Sequence, residues 1–245
     1  MPDTSPQPPA TPYDAIAEWY DGYLRERPLY RETLLPAVLN LVGDVQGLTL
    51  CDLACGQGFV TRELAQRGAH LVGADISERL LALARRYEDE TPLGIRYLHD
   101  DAQTGAHLPD ASFDGVACIM ALMPIADIAA TFQTVYRLLK PGGWFVFAIT
   151  HPCYQTSRSR WTTWNDGSPA REVSAYFTEG YWQSENTSGV RGQVGEYHRT
   201  LGAYLNTLIA AGLRIERISE PQAMGDNEPG NREVPTLLLV RARKG

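Results

Sequence analysis

The segment Thr49-Leu50-Cys51-Asp52-Leu53-Ala54-Cys55-Gly56-Gln57-Gly58 decides the fold class of this chain. Its first five residues are mainly apolar and predict a short buried strand. The small residues Ala54, Gly56 and Gly58 then allow the backbone to turn sharply and to approach a ligand closely. A helix is predicted from Val60 to Arg67, with Gly68 as its stop. The segment therefore predicts a strand–turn–helix unit of an α/β fold.

The same alternation of strands and helices continues along the chain. Further strands are predicted at 70–74, 95–98, 113–119 and 144–149, and further helices at 77–87 and 128–139. Strands that are separated by helices of this length imply right-handed crossovers. The sequence therefore predicts a doubly wound fold, in which a parallel sheet is covered by helices on both faces.

The two ends of the chain carry further elements. Helices are predicted at 13–24, 31–42 and 197–211, and strands at 214–218 and 236–241. Residues 151–195 are rich in Trp, Tyr, Ser, Gly and Arg and show no sustained period. Such a long irregular segment in a compact domain is usually functional or mobile. Since it follows the fifth strand, at the edge where open α/β sheets bind ligands, we interpret it as a cap over the active site.

The composition argues against several classes of protein. The chain has 245 residues and a formal net charge of -7, which disfavours nucleic acid or an anionic membrane surface as its main partner. Its apolar runs are shorter than the roughly 18–20 residues of a membrane span. The proline-rich residues 1–12 lack the features of a signal peptide, and the four cysteines are expected as reduced thiols. We therefore predict a cytoplasmic protein with a disordered tail at 1–12 and a single domain at 13–245.

The sequence of the glycine turn indicates which class of ligand can bind beside it. The dinucleotide fingerprint G-x-G-x-x-G would place Ala54 at its first glycine and Phe59 at its third, which is a poor match. The turn also has no lysine for phosphates, which excludes a P-loop. A glycine turn without phosphate contacts suits a nucleoside that carries an amino-acid tail. The N–H groups at the start of the following helix can then meet the carboxylate of that tail.

Acidic residues follow the second and third predicted strands. Asp75 ends the second strand, where a carboxylate can accept hydrogen bonds from both ribose hydroxyls. The alternative for Asp75 is a solvated cap of the next helix. Asp101, followed by Ala102, could accept from an adenine amino group. Asp100 competes for that role, and a plain polar loop would explain both residues.

Apolar and sulfur-bearing residues end the fourth and fifth strands. Cys118, Ile119 and Met120 could flank the adenosine and the methyl-bearing sulfur, with ordinary core packing as the alternative. Cys55, Cys118, Cys153 and His151 also fall at neighbouring strand ends, where a soft metal could in principle bind. Since none of these cysteines forms a C-x-x-C pair and small buried cysteine is common, we expect no metal site.

Five motifs in this order resemble those of class I S-adenosylmethionine-dependent methyltransferases, and lie closest to the small-molecule methyltransferase type. They are Asp52 to Gly58, Asp75, Asp101-Ala102, Phe113-Asp114 and Leu138-Leu139-Lys140-Pro141-Gly142-Gly143, preceded by Tyr13-Asp14-x-x-Ala17-x-x-Tyr20-Asp21. The resemblance covers about Tyr13 to Ile149 and the closing helix and strands. Two residues depart from it. Ala54 stands where many members have glycine, and Pro124 stands where many relatives have His, so any catalytic role of that His is absent here.

The resemblance implies a Rossmann-like, seven-stranded sheet whose last strand is antiparallel, and S-adenosylmethionine as the cofactor. Residues 13–46 would form a helical lid over it. The residues expected at the cofactor are Tyr13, Tyr20, Asp52, Ala54, Gly56, Gly58, Asp75, Ile76, Asp101, Ala102, Cys118 and Met120. The expected partner is a small-molecule methyl acceptor of the kind found in secondary metabolism, and the chain would be a monomer or a homodimer.

Methyl transfer needs few fixed catalytic groups. The donor is already activated, so aligning the acceptor with the methyl group and excluding water can supply much of the rate. A general base matters only where the acceptor must lose a proton. His151, directly after the fifth strand, is the first candidate for such a base, and His198, at a predicted helix start, is the second. An ordinary structural hydrogen bond is the alternative for both.

The insertion at 151–195 supplies the candidate acceptor contacts. Its rings predict a lid that packs on a flat or apolar acceptor, although some would only anchor the loop. The substrate-binding candidates are Tyr20 and, from the insertion, Trp164, Tyr176, Phe177, Tyr181 and Trp182, beside Trp161. Arginines that could bind an acceptor carboxylate, or simply be solvated, are Arg158, Arg160, Arg171, Arg191 and Arg199.

Other functions stay open at this point. The same fold and cofactor could catalyse a cyclisation or rearrangement, and a non-catalytic protein could bind a nucleoside as a regulator or scaffold. The cofactor motifs together with the aromatic cap favour methyl transfer to O, N or C. The poor dinucleotide fingerprint disfavours a nicotinamide oxidoreductase. The net charge, and the lack of an Asn/Asp-Pro-Pro-Tyr or Pro-Cys motif after the fourth strand, disfavour a nucleic-acid methyltransferase.

Overall fold

A seven-stranded sheet forms the centre of the protein. The computed structural model describes residues 11–224 and 233–245. The strands are β1 (Thr49–Leu53), β2 (His70–Asp75), β3 (Arg96–His99), β4 (Phe113–Ile119), β5 (Leu139–Thr150), β6 (Arg160–Thr163), β7 (Pro169–Glu172), β8 (Gly180–Trp182), β9 (Glu196–His198), β10 (Leu213–Ser219) and β11 (Leu237–Lys244). The main sheet has the order β10-β11-β5-β4-β1-β2-β3. The last strand, β11, runs antiparallel to both of its neighbours, which confirms the predicted topology.

Helices cover both faces of this sheet, as predicted. They are α1 (Pro12–Glu26), a π-helical segment at Leu29–Leu34, α2 (Leu35–Val42), α3 (Phe59–Ala65), α4 (Glu78–Glu90), α5 (Ile128–Leu138), α6 (Val190–Val194) and α7 (Leu201–Ala210). Side chains alternate between the faces along β5. Phe145 and Phe147 belong to the core that α5 and α7 cover, while Trp144 and Val146 belong to the core beneath α2, α3 and α4.

The structure corrects three predictions about the elements. The helix predicted at 31–42 begins as the π-helical segment because Pro36 has no N–H to donate to the carbonyl four residues earlier. The helix predicted at 197–211 begins only at Leu201, where the Thr200 side chain accepts from the Ala203 N–H. The residues before it form β9, which pairs with β8. The predicted tail at 1–12 is described only at its last two residues, where Thr11 caps α1 and Pro12 begins it.

The insertion contains more regular structure than its sequence indicates. Strands β6 and β7 pair as an antiparallel hairpin, β8 pairs with β9, and α6 lies between them in the chain. Each pair is a two-stranded sheet separate from the main one. Over the described ranges, the helices are too short or too polar to cross a membrane.

Gly58 offers a test of the turn after β1. It has φ +83°, and a Cβ added there would overlap the Tyr97 hydroxyl. Gly94 has a similar φ of +78° but nothing within 4 Å of an added Cβ. Gly94→Ala should therefore cost only the backbone strain, about 1–2 kcal/mol. Gly58→Ala should cost about 1–3 kcal/mol more, because Tyr97 must move. Urea unfolding of both variants measures the difference, and equal costs would contradict the crowding.

Candidate active site

The carboxyl ends of β1, β2 and β4 surround a cleft of about 880 Å³, part of which is open to solvent. We call it the strand-end cleft. Eight of the predicted cofactor residues line it, namely Tyr13, Tyr20, Asp52, Ala54, Gly56, Asp75, Ile76 and Met120. These residues come from distant parts of the chain, and the parallel sheet brings them together because it places its strand ends at one edge.

The backbone turns sharply at two of these strand ends. Ala54 after β1 and Met120 after β4 have φ of 57° and 59°, in the left-handed region that residues other than glycine seldom adopt. A hydrogen bond from the turn to a neighbouring strand holds each of these two turns. The Cys55 N–H donates to the Ala74 carbonyl, and the Met120 N–H donates to the Ala148 carbonyl. Such conformations are retained where the surrounding structure fixes them, and they cluster at ligand sites.

Asp75 is buried at the end of β2 and faces the glycine turn. One carboxylate oxygen accepts from the Gly56 N–H at 2.7 Å, and the other accepts from the Ser77 N–H at 2.8 Å. Burial raises the pKa of Asp75, while these two N–H groups act to lower it. A carboxylate has about four lone-pair positions, so each oxygen retains one acceptor position. Asp75 therefore fits the two hydroxyls of a ribose.

Asp52 lies deeper in the strand-end cleft, near the end of β1. Its carboxylate accepts from the Thr61 hydroxyl at 2.6 Å. Burial raises the pKa of Asp52 to about 7, and the hydrogen bond from Thr61 opposes this shift. A carboxyl group with this pKa gains or loses its proton readily near neutral pH.

Helix α1 closes the strand-end cleft from above. Tyr13 and Tyr20 meet edge to face, with 5.2 Å between their ring centroids, and burial raises the pKa of both phenols, so they stay neutral. The Asp14 carboxylate accepts from the Ser77 hydroxyl at 2.6 Å and from the Arg79 N–H at 3.2 Å. These bonds fasten α1 to the start of α4, directly after Asp75.

A second space adjoins the strand-end cleft and reaches under the insertion. We call it the insertion cleft; it encloses about 1150 Å³, including open solvent. The two clefts share five wall residues, Tyr13, Tyr20, Tyr30, Met120 and Pro124. The outer wall is formed by Tyr154, Gln155, Trp161, Arg171, Val190, Arg191 and Gly195 from the insertion and by Glu196 at the start of β9. A molecule in one cleft therefore lies next to a molecule in the other.

Four predicted cofactor residues do not line the strand-end cleft. A Cβ at Gly58 would overlap the Tyr97 hydroxyl, so this glycine makes room for the tyrosine, and its role at the cofactor stays a prediction. Cys118 is fully buried, and Ala102 packs in the same hydrophobic core. The Asp101 carboxylate accepts from the Gln103 N–H at 2.8 Å and from the Gln103 side chain. The role of Asp101 at an adenine stays a prediction.

Neither candidate base lines either cleft. His151 is buried, with Nε2 2.8 Å from a Glu220 carboxylate oxygen and Nδ1 accepting from the Cys153 N–H at 3.2 Å. Burial lowers the pKa of His151, and Glu220 acts in the opposite direction. His198 lies on β9, not at a helix start, and its Nε2 is 2.8 Å from the Tyr176 carbonyl oxygen. Both imidazoles make hydrogen bonds within the protein, and a catalytic role for either stays a prediction.

Most of the aromatic residues of the insertion that were predicted to bind the acceptor do not line either cleft. Trp164, Phe177 and Tyr181 are 68%, 89% and 57% exposed. Tyr176 accepts from the Leu201 N–H at the start of α7, and Trp182 lies on β8 outside both walls. Of the candidate rings, Tyr20 and Trp161 line the insertion cleft, and of the candidate arginines Arg171 and Arg191 line it. The rings that line it from the insertion are Tyr154 and Trp161.

Several wall residues are not among those predicted from the sequence. Gln57 and Tyr30 belong to this group, together with Tyr154 and Glu196. Gln57 lies inside the quoted glycine turn and could have been included. Tyr154 follows His151 by three residues, but its position depends on the fold of the insertion. Within residues 11–224 and 233–245, no group of three or more Cys, His, Asp or Glu side chains could hold a metal ion.

Comparison with known proteins identifies the relatives of this chain. The family model for a methyltransferase domain matches residues 51–147. An S-adenosylmethionine dependent methyltransferase from Mesorhizobium loti, known from its crystal structure, is 35% identical, with a TM-score of 0.74 over 85% of this chain and 96% of its own. An uncharacterized protein from Haemophilus influenzae is 27% identical over 237 residues, which are 90% of this chain and 91% of that protein.

A further relative has a named activity. A ubiquinone biosynthesis O-methyltransferase from Pseudomonas paraeruginosa is 33% identical over 135 residues. The match covers 54% of this chain and 57% of the relative. This chain therefore spans little more than half the length of the O-methyltransferase. The sequence similarity is limited to the 135 matched residues.

Replacing Asp75 tests the assignment of the ribose site. Asp75→Ala should weaken binding of S-adenosylhomocysteine at least about 100-fold, because it removes two charge-assisted hydrogen bonds. Isothermal titration measures this. Asp44→Ala is the matched control, since Asp44 also accepts from a backbone N–H but lies in an exposed turn. Circular dichroism should show both variants folded, and unchanged affinity in folded Asp75→Ala would refute the assignment.

The pKa of Asp52 predicts a pH dependence of stability. The unfolded carboxyl group ionises near pH 4. The folded one keeps its proton up to about pH 7. The wild-type protein should therefore lose stability relative to Asp52→Asn as the pH rises from about 4 to about 7, by on the order of 2 to 4 kcal/mol. Urea unfolding at pH 5 and pH 8 measures the change. A pH dependence of Asp52→Asn that runs parallel to that of the wild-type protein would contradict the shift.

Proposed function

Because the chain belongs to the class I S-adenosylmethionine-dependent methyltransferases, we propose that it transfers the methyl group of this cofactor to a small organic acceptor bound in the insertion cleft. The observation that carries the proposal is the wall that the two clefts share. Methyl transfer is an in-line displacement, so the acceptor must face the methyl group across a short distance. Two adjoining clefts that share Tyr13, Tyr20 and Met120 meet this requirement.

The strand-end cleft has the groups that the cofactor requires. Asp75 would accept from the ribose hydroxyls, and the glycine turn at Gly56 would lie along the nucleoside. Ile76 and Leu80 add apolar surface to the same wall. When bound, S-adenosylmethionine supplies a methyl group on a positively charged sulfur, which is already activated toward a nucleophile. We propose residues 13–46 as the lid over this cleft and residues 151–195 as the cap over the acceptor.

The protein would act mainly by holding the reactants together and excluding water. Tyr13, Tyr20 and Tyr30 form the boundary between the clefts as neutral phenols, since burial raises the pKa of all three. Their rings exclude solvent, and their hydroxyls can orient an acceptor without carrying charge. Correct positioning of two bound reactants can supply about 7–11 kcal/mol of the barrier. The proton that a phenol or amine acceptor releases would pass to water at the open side of the insertion cleft, so no step in this proposal needs a proton transfer to His151 or His198.

An assay with a labelled donor tests the proposed function. Purified protein is incubated with methyl-deuterated S-adenosylmethionine and a panel of phenols, catechols, indoles and amines. Mass spectrometry should detect a product that carries the labelled methyl group, with one S-adenosylhomocysteine formed for each methylated molecule. Asp75→Ala should form little of either product. Failure of the folded wild-type protein to bind S-adenosylhomocysteine would refute the proposal, as would formation of a cyclised product without methyl transfer.

The role of His151 can be tested with the acceptor that the assay identifies. His151→Gln retains a side-chain amide that can reach Glu220, so the loop should keep its structure. We expect kcat to fall less than about tenfold, because both ring nitrogens of His151 are engaged within the protein. Loss of a general base would lower kcat by about 10²- to 10⁴-fold. A fall of that size, with unchanged donor affinity, would restore His151 as the base.

A further inference from the structure

The loop that joins β4 to α5 lines both clefts. We call residues 120–127 the β4–α5 loop, and its residues Met120 and Pro124 belong to the walls of both clefts. Its other wall residues are Ala121 and Ile125 in the strand-end cleft and Met123 in the insertion cleft. The position of this loop therefore affects the shape of both clefts, and with it the distance between a bound donor and a bound acceptor.

The β4–α5 loop depends on hydrogen bonds from outside it. It begins at Met120 in a left-handed conformation with φ 59°, and residues 120–127, all of them described, belong to no helix or strand. A strained conformation of this kind persists only where the surrounding structure fixes it. Carbonyl groups in an irregular segment also need donors from elsewhere. The segment that follows the insertion supplies both kinds of support.

The Arg199 guanidinium donates to three carbonyl groups of the loop. Its Nη2 donates to the Ile125 carbonyl at 2.6 Å and to the Ala126 carbonyl at 2.8 Å. Its Nη1 makes a longer bond of 3.4 Å to the Leu122 carbonyl. Arginine suits this role because its planar guanidinium presents several N–H donors in a fixed arrangement. One side chain therefore holds a loop that lies 73 to 77 residues earlier in the chain.

The segment that carries Arg199 is itself held in place. The Tyr197 N–H donates to the Met123 carbonyl at 2.8 Å, and the centroid of the Tyr197 ring lies 5.1 Å from the Arg199 guanidinium. The Glu179 carboxylate, in the insertion, accepts from the N–H and from the hydroxyl of Thr200, both at 2.8 Å. A guanidinium that is fixed in advance can determine where the loop lies, because it has little side-chain entropy left to lose.

Arg199 lines neither cleft, so its effect on a bound reactant must pass through the β4–α5 loop. Misplacing a reactant by about 1 Å can lower the rate about 100-fold. We propose that Arg199 is a positioning residue for methyl transfer, which holds the β4–α5 loop in the conformation that aligns the acceptor with the methyl group of the donor. This inference rests on the proposed function.

Two arginine variants test the proposal. Arg199→Met removes the N–H donors and keeps most of the length of the side chain. Arg137→Met is the matched control, because Arg137 also donates to three loop carbonyls but lines neither cleft. These carbonyls belong to Thr104, Gly105 and Leu108. Urea unfolding should show that both variants are folded and lose similar stability, so that a difference at the clefts reports on the position of the β4–α5 loop.

Donor binding and hydrogen exchange measure that position without an acceptor. Isothermal titration should show S-adenosylhomocysteine binding at least about fivefold more weakly to Arg199→Met, because the released loop carries part of the strand-end wall. The Tyr197 amide should exchange at least about 10-fold faster, since its acceptor, the Met123 carbonyl, lies in the same loop. Arg137→Met should change either quantity by less than about twofold.

Kinetics with the acceptor that the labelled-donor assay identifies test the alignment. At saturating donor, kcat should fall by about 10- to 100-fold in Arg199→Met. KM for the acceptor should rise by a smaller factor, because alignment of the bound reactants acts chiefly in the transition state. Arg199→Lys keeps the charge but presents one nitrogen in place of a planar guanidinium, so it should recover part of the donor affinity and part of kcat.

The outcomes distinguish failure of the inference from failure of the proposed function. If S-adenosylhomocysteine does not bind to the folded wild-type protein, the proposed function fails. If it binds, but Arg199→Met leaves its affinity and the exchange of the Tyr197 amide unchanged, the inference fails alone. Equal effects in Arg137→Met would also overturn it, because a general loss of stability would then explain them. A rise in the acceptor KM with unchanged kcat would overturn it as well.

Discussion

The carboxylate of Asp75 joins three parts of the protein that are far apart in sequence. It accepts from Gly56 in the turn after β1 and from Ser77 at the start of α4. The Ser77 hydroxyl donates in turn to Asp14 on α1. One buried acidic group and its neighbour Ser77 therefore connect the glycine turn, the start of α4 and helix α1. The strand-end cleft exists because these three parts are held at one edge of the sheet.

The insertion cleft depends on a different constraint. It is formed where the insertion after β5 reaches the tyrosines of the amino-terminal helices. The Arg191–Glu196 pair and the bond from Arg191 to Thr150 fasten the cap to the end of β5. The Tyr197 N–H also donates to the Met123 carbonyl, which connects β9 to the loop after β4. The second cleft is therefore bounded by interactions between segments that are irregular in sequence.

Most of the fold and about half of the site could be predicted from sequence. The alternation of strands and helices places Asp52, Gly56 and Asp75 at strand ends, and a parallel sheet must bring strand ends together. The cap could not be predicted in this way. Whether Trp161 faces the cleft depends on its pairing with Arg171 in the β6–β7 hairpin, and the segment has no clear period. The contact between His151 and Glu220 could not be predicted either, because the two residues lie far apart in the chain.

The β6–β7 hairpin is a separate two-stranded sheet and shares no strand with the sheet that carries Asp75. Substitutions at Trp161 or Arg171 change the outer wall of the insertion cleft and leave the turn at Gly56 untouched. The shared tyrosines have no such freedom, since any change at Tyr13 or Tyr20 alters both clefts at once. A change on the β6–β7 hairpin can therefore reshape one cleft without the other, whereas a change at a shared tyrosine cannot.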